Sequence, residues 1–280
     1  MKTPGEIRIA KKYKNYRQAL MSVWETYAFL QFAIEQVDKL IKKENFPQFR
    51  LQHLANAFND KEYERHFEKK DVLGISDRIL KKTNLIQAFI DPIALTETYL
   101  QELCEIVYKD FPEKLLGKDP GNQQIEQEKS RIKLLSLIVN SSTKEDILDT
   151  IIEEKIRGIF YGNPVDFYVY DKANIGLGNF FKDNHNTTIK RLSEIIARRN
   201  AYVHNDGRVD SKYLREVENP QYLLGKIAIL DEHYVRENIY ILRGFAATVT
   251  KLIIENDYKV KNTNGSIEQN SYAFNKKYNI

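Results

Sequence analysis

Arg199, Asn200 and His204 are the residues whose types and spacing point to chemistry, and they lie within "EIIARRNAYVHNDGRV", residues 194–209. The stretch begins as an amphipathic helix with Leu192, Ile195 and Ile196 on one side, and it then sets Arg199 where the apolar stripe should continue. On a wheel of about 100° per residue with Ile189 at zero, Leu192 falls at about 300°, Val203 at about 320°, Ile196 at about 340° and Arg199 at about 280°, inside the same arc. Arg198, at about 180°, falls outside it. A guanidinium cannot lose its proton, so turning it toward a dry interior without a partner is expensive. Arg199 must therefore meet an anion or a water-filled cleft. Glu97, Glu102 and Asp231 are candidates for an internal ion pair, the commonest reason for an inward charge.

His204 closes the same helical pattern, just ahead of Asn205-Asp206-Gly207, which reads as a helix stop. An imidazole with its ordinary pKa of about 6.5 takes and gives protons near neutrality. On an undisturbed helix Arg199 and His204 stand about 140° apart and cannot point at one atom. A shared site needs the helix to end or loosen over residues 201–203, or a second copy of the chain to complete it. Asn200, at about 20°, lies between the two and can orient the imidazole or hold a phosphate oxygen. Asn205 can orient His204 or cap the helix. Arg191, Arg198, Arg208, Lys212 and Arg215 surround the motif as a group able to hold phosphates, with Asp206, Asp210, Glu216 and Glu218 interspersed. Tyr202 and Tyr213 suit packing or base stacking.

The elements that must position these residues read as helices nearly throughout. From about residue 10 to 43, Tyr13, Tyr16, Leu20, Val23, Trp24, Tyr27, Leu30, Ile34, Val37 and Leu40 recur at spacings of three and four, one buried stripe stopped by Asn45-Phe46-Pro47. Residues 51–80 hold shorter patterned pieces, and KEYERHFEKKD among them reads as a solvated helix face. A helix over residues 85–108 contains Pro92, which should kink or split it. Residues 132–139 form a short helical pattern, and Ser142 with Glu145 makes a capping box for the helix that follows. Asp183-Asn-His-Asn-Thr-Thr188 offers N-caps for the motif helix. Leu224 to Leu230 leans toward a short strand or extended loop, and the last long helix should run from about Asp231 to Glu255. The expected organisation is an N-terminal helical region over 1–84, a helical domain over 85–256 and a polar mobile tail over 257–280.

Composition bounds the rest. The chain has 280 residues, 42% hydrophobic and 29% charged, which suits one or two globular domains with a core. Its net charge of +4 permits a polyanionic partner without announcing one. The single cysteine, Cys104, excludes an internal disulfide framework. The N-terminal residues lack the apolar core of a secretion signal and no window is apolar for long enough to span a membrane, so a soluble cytoplasmic protein with no membrane partner is expected. His53, His66, His185 and His233 stand singly, as surface or core-edge residues. Gly176-Leu-Gly178 lacks the strand-to-helix context of a phosphate cradle. No metal site and no cofactor are expected.

Arg199-Asn200-Ala-Tyr-Val-His204 resembles the signature of HEPN-domain proteins, an arginine followed usually by Asn, Asp or His, then three residues and a histidine. "RRNAYVHNDGRVDSKYL" and the later "GKIAILDEHYV" are similar to the wider form of the motif in bacterial HEPN ribonucleases. The resemblance covers roughly residues 85–256. It implies an all-α bundle that forms a homodimer with its motif regions facing across a shared cleft, and metal-independent cleavage of RNA. It also implies a toxin or a defence effector, with an antitoxin or inhibitor protein as a further partner. In that chemistry the ribose 2′-OH is the nucleophile, His204 moves the proton, Arg199 and Asn200 stabilise the phosphorus centre, and Arg198, Asn205, Arg208, Lys212 and Arg215 hold RNA. The products would be a 2′,3′-cyclic phosphate and a 5′-hydroxyl. A non-catalytic HEPN module that binds RNA or a protein is the alternative, and a plain helical scaffold would keep Arg199 salt-bridged within its own subunit.

Overall fold

The computed structural model describes residues 4–43, 49–53, 63–115, 143–161, 164–261 and 265–278. Ten α-helices are present among the described residues: α1 (Pro4–Lys43), α2 (Lys69–Arg78), α3 (Asn84–Asp110), α4 (Lys144–Phe160), α5 (Asp166–Val169), α6 (Phe180–Asn184), α7 (Asn186–Asn205), α8 (Ser211–Glu216), α9 (Glu232–Asn256) and α10 (Ser266–Tyr278). The protein is an all-α bundle, as the helical periodicity predicts. One small departure is an antiparallel hairpin of β1 (Phe49–His53) and β2 (Tyr63–Phe67), with Phe49 opposite Phe67 and His53 opposite Tyr63. The expected helix face in KEYERHFEKKD is thus corrected to a strand over its YERHF portion. Five residues are too few to declare a period of their own, and a cross-strand partner decides the matter.

The core lies where α1, α3 and α9 meet, and it extends from Ile9 in α1 to Phe274 in α10. Phenol rings knit the three helices together. Tyr16 stacks on Tyr99 at 4.4 Å and shares a hydrogen bond with the Thr96 hydroxyl at 2.9 Å, while the Tyr99 hydroxyl meets Thr250 at 2.6 Å. The expected stripe on α1 holds only for its first two-thirds. Tyr13, Tyr16, Leu20 and Tyr27 are buried, whereas Leu30, Val37 and Leu40 are exposed. The helical backbone of α3 continues through residues 69–83 beside the rest of α1, where Gln31 donates to the Leu80 carbonyl at 3.1 Å and Ile41 is 2% exposed, so the inward side runs through Tyr27, Gln31 and Ile41 and leaves Leu30, Val37 and Leu40 outside.

α3 passes through Pro92 without splitting, with Phe89, Ile93, Thr96 and Tyr99 buried on either side. Packing of this extent outweighs one lost helical hydrogen bond. α4 is capped one residue later than expected. The Thr143 hydroxyl accepts from the Asp146 N–H and the Asp146 carboxylate from the Thr143 N–H, both at 3.1 Å; Ser142 and the pattern over residues 132–139 lie outside the described residues. α9 starts as read, with Asp231 accepting from the Tyr234 N–H at 2.7 Å.

The end of the chain differs from expectation. Residues 266–278 form α10 rather than a mobile tail, with Ile267, Ser271 and Phe274 turned inward. The dock is a glycine: a Cβ on Gly244 of α9 would lie 2.1 Å from the Phe274 ring, so only the absence of a side chain there lets the ring seat. His185 is also corrected, from surface or core-edge to core. It is 1% exposed, stacks on Phe274 at 4.8 Å, and its Nε2 meets Asn275 Oδ1 at 2.9 Å. It occupies the N-cap position of α7 without a capping bond, so none of the expected polar caps serves there. Among the described residues no helix is long and apolar enough to cross a membrane.

Candidate active site

α7 carries the motif, and it neither loosens nor ends over residues 201–203. It runs unbroken to Asn205 and stops at Asp206, whose φ of 51° is left-handed. Gly207 completes the stop at φ 79°, its N–H donating to the Ala201 carbonyl at 3.0 Å. A Cβ there would stand 2.8 Å from the Tyr202 ring, so glycine is required twice over. The chain leaving the turn is stitched to the 225–228 segment by Val209 N–H to Lys226 O (2.9 Å) and Ala228 N–H to Gly207 O (2.9 Å). The short β element expected at 224–230 is this contact, a single bridge between Arg208 and Ile227. Within one chain, therefore, Arg199 and His204 keep the roughly 140° separation of an ideal helix.

Arg199 reaches α3. Its Nη2 donates to Glu97 Oε2 at 2.7 Å and its Nη1 to Asn200 Oδ1 at 3.1 Å, while Nε is buried without an acceptor. The pair is not sealed: the Arg199 and Glu97 side chains retain 20% and 30% of their exposure. Burial pushes the Glu97 carboxyl above its ordinary pKa, and the opposing pull of Arg199 does not cancel that. The pair lines a hollow of about 230 Å³ together with Gln101, Ser193, Lys212 and Glu216. His204 opens on an adjoining hollow of about 120 Å³. Asn200, Lys212 and Glu216 line both, so they form the common wall between the guanidinium and the imidazole.

Arg198 is the residue that geometry on a wheel misplaced. It is 4% exposed, more buried than Arg199, because α7 is covered on two sides. Ile189, Leu192, Ile195 and Ile196 face the main core, while Ala197 packs with Val209, Tyr213, Val217 and Ala228 of the segment that follows. In that second layer Arg198 donates from Nε to Glu194 at 2.7 Å and from Nη1 to the Ile229 carbonyl at 2.8 Å, and lies 4.0 Å from the centre of the Tyr234 ring. Glu194 also accepts from the hydroxyls of Tyr213 (2.8 Å) and Tyr234 (2.5 Å). Burial, and then the Glu194 charge, push both phenols well above their ordinary pKa and hold them as donors. Arg198, expected to hold RNA, is thus engaged within the chain through Nε, Nη1 and Nη2 and is 4% exposed.

Asn205 is engaged within the chain too. Its Nδ2 donates to Asp210 Oδ2 at 2.8 Å, and Asp210 caps α8 by accepting from the Tyr213 N–H at 2.8 Å. That backbone bond, with Asn205 assisting, lowers the Asp210 pKa. Asn205 thus latches the turn to α8 and fixes where Lys212 and Glu216 stand. Lys212, Arg208 and Arg215 are exposed. Arg208 makes one weak bond, to the Gly225 carbonyl at 3.3 Å. Beside the turn, Leu223, Leu224, Ile227 and Ile229 are exposed apolar residues.

Glu97 was legible as one candidate among three partners for Arg199. Glu194 was missed, although its place four residues before Arg198 is the spacing of a helical ion pair. Gln101, Ser193 and Glu216 carry no sequence signal, since only packing brings them to the hollow. Among the described residues no three His, Cys, Asp or Glu side chains gather as metal ligands would. The chain matches no family model, no curated protein and no solved structure, so its chemistry is read from these side chains.

Proposed function

We propose that the protein is a dimeric, metal-independent endoribonuclease of the HEPN type, acting in the cytoplasm as a toxin or in defence against mobile elements. One observation carries this reading: Arg199 and His204 open on adjoining hollows that share Asn200, Lys212 and Glu216 as their wall. An imidazole there takes the 2′-OH proton, the 2′ oxygen attacks phosphorus, and the bond to the 5′ oxygen breaks as a protonated imidazole supplies that oxygen. The guanidinium holds the charge that develops on the non-bridging oxygens. A phosphate must first take the place of Glu97 at Nη2. Burial favours the exchange, because it has already made the carboxylate a reluctant anion, and the acceptor-less Nε gives the phosphate a second donor. Lys212, on the shared wall, supplies exposed positive charge at the opening, and Arg208 and Arg215 are exposed on the segment that follows the motif.

A second reading is a non-catalytic RNA-binding module. It is favoured by the unbroken α7, which keeps the guanidinium and imidazole of one chain apart. The test is to incubate the purified protein with tRNA or mRNA in excess EDTA, alongside Arg199→Ala and His204→Ala variants. Cleavage to cyclic-phosphate ends, lost in both variants, is the expected result. Binding without cutting establishes the second reading, and neither binding nor cutting leaves the scaffold. Cleavage that requires a divalent ion removes His204 from the role given to it.

A further inference from the structure

Beyond Tyr27, α1 packs its Gln31 and Ile41 side toward residues 69–83 and presents beside it an apolar face that no described residue covers. Phe29 (68%), Phe32 (62%), Leu40 (68%), Val37 (44%) and Leu30 (37%) are all exposed. With Phe29 at zero and about 100° per residue, Leu40 falls at about 20°, Ala33 at about 40°, Val37 at about 80°, Leu30 at about 100°, Phe32 at about 300° and Gln36 at about 340°. This is one continuous arc roughly 160° wide, broader than a helix needs for a single neighbour. Phe29, Ala33, Gln36 and Leu40 run through it at intervals of four, three and four, the spacing of a two-helix seam.

The charges at its ends select the occupant. Glu25 and Lys43 both fall at about 320°, at opposite ends of the arc and on the same edge of it. Both are exposed, and neither has an ion-pair partner among the described residues. In an antiparallel helix pair, like edges face each other. Phe29 of one copy then lies against Leu40 of the other, Leu30 against Val37, and Glu25 against Lys43. All three pairings are related by one two-fold axis near residue 34, so the surface is complementary to itself, as an isologous interface must be. In a parallel pair unlike edges face each other, so Glu25 and Lys43 would stand at opposite ends of opposite edges and leave each other unpaired.

We infer that residues 25–43 of α1 are a self-association surface, pairing antiparallel with the same helix of a second copy. The surface is separate from the exposed Leu223–Ile229 segment beside the motif, and the inference does not rest on ribonuclease activity. A seam of about three turns is short, so the association is expected in the micromolar range.

Light scattering and sedimentation of the full chain from about 1 to 100 μM should show a monomer–dimer equilibrium in that range. Phe29→Glu with Leu40→Glu should remove the α1 contribution and weaken association by about tenfold or more with unchanged helical circular dichroism, since both positions are exposed. Glu25→Lys alone and Lys43→Glu alone should each weaken it several-fold, and the two combined should restore it. Orientation is read by oxidation: Phe29→Cys chains should cross-link to Leu40→Cys chains and not to one another. A monomer at the highest concentration overturns the inference. So does association whose strength the double glutamate variant leaves unchanged while Ile227→Glu and Ile229→Glu remove it, and so does cross-linking between Phe29→Cys chains. A chain monomeric at every concentration would also count against the dimeric cleft of the proposed function, whereas cleavage itself is read separately by the EDTA assay.

Discussion

Arg199 of α7 and Glu97 of α3 face each other at 2.7 Å across the mouth of a hollow, with the guanidinium Nε left without an acceptor. Two terms oppose each other in this pair. Burial penalises the Glu97 anion while Arg199 attracts it, and the raised carboxyl pKa shows that burial wins. A carboxylate with a raised folded pKa binds protons more readily in the fold, so its contribution to stability declines as pH rises past the ordinary value near 4.5.

It follows that Glu97→Gln should shift stability by no more than about 1 kcal/mol, because a neutral isostere removes the burial cost together with the attraction. Arg199→Ala should cost more, about 2 kcal/mol, since it leaves the carboxylate half-buried and alone. Combining the two should recover part of that loss. Urea titrations of the four proteins form the cycle, and additive losses would show that the pair is not coupled.

The unbroken helix makes a composite site testable by mixing. If the guanidinium of one copy works with the imidazole of the other, then Arg199→Ala and His204→Ala chains mixed in equal amounts should regain about a quarter of wild-type cleavage. Half of the dimers are then mixed, and each has one complete site of two. No recovery on mixing would place both groups of each site in a single chain.

The Arg198–Glu194 cluster should behave as structure rather than as an RNA contact. Glu194→Ala leaves a buried guanidinium without its carboxylate and should destabilise the fold by about 3–5 kcal/mol. Lys212→Ala should leave stability nearly unchanged and reduce the salt dependence of RNA binding by about one phosphate contact. Thermal melts and binding isotherms at several salt concentrations separate the two behaviours.

Acid should loosen the dock of α10 first. Burial holds the His185 pKa below its ordinary 6.5, with the Asn275 bond opposing only in part. The unfolded chain therefore gains this proton before the folded one, so stability is full above about pH 6.5 and falls as pH drops through the lower folded value. Phe274→Ala, at the same contact, should cost about 3–5 kcal/mol. Hydrogen exchange in residues 266–278 as a function of pH reads the local effect, and protection that does not change between pH 7 and 5 would refute it.

The helices themselves were determined locally. Spacing of apolar residues places α3 and α9 to within a few residues and the end of α1 as well, though α1 starts six residues earlier than read, and the Asp231 cap and the Asn205-Asp206-Gly207 stop are written in side-chain and backbone chemistry that acts over one turn. The motif also announces that Arg199 must have an anionic partner, because a permanent charge cannot be left dry. Tertiary structure alone decided which anion that is, that Arg198 is the more buried of the two arginines, and that the C-terminal residues dock through Phe274 onto Gly244. The same holds for α1, where the stripe is core as far as Tyr27, after which Ile41 is buried while Leu30, Val37 and Leu40 are exposed. A helical pattern records which side of a helix is apolar; what covers that side depends on where its neighbours lie, and no local rule contains that placement.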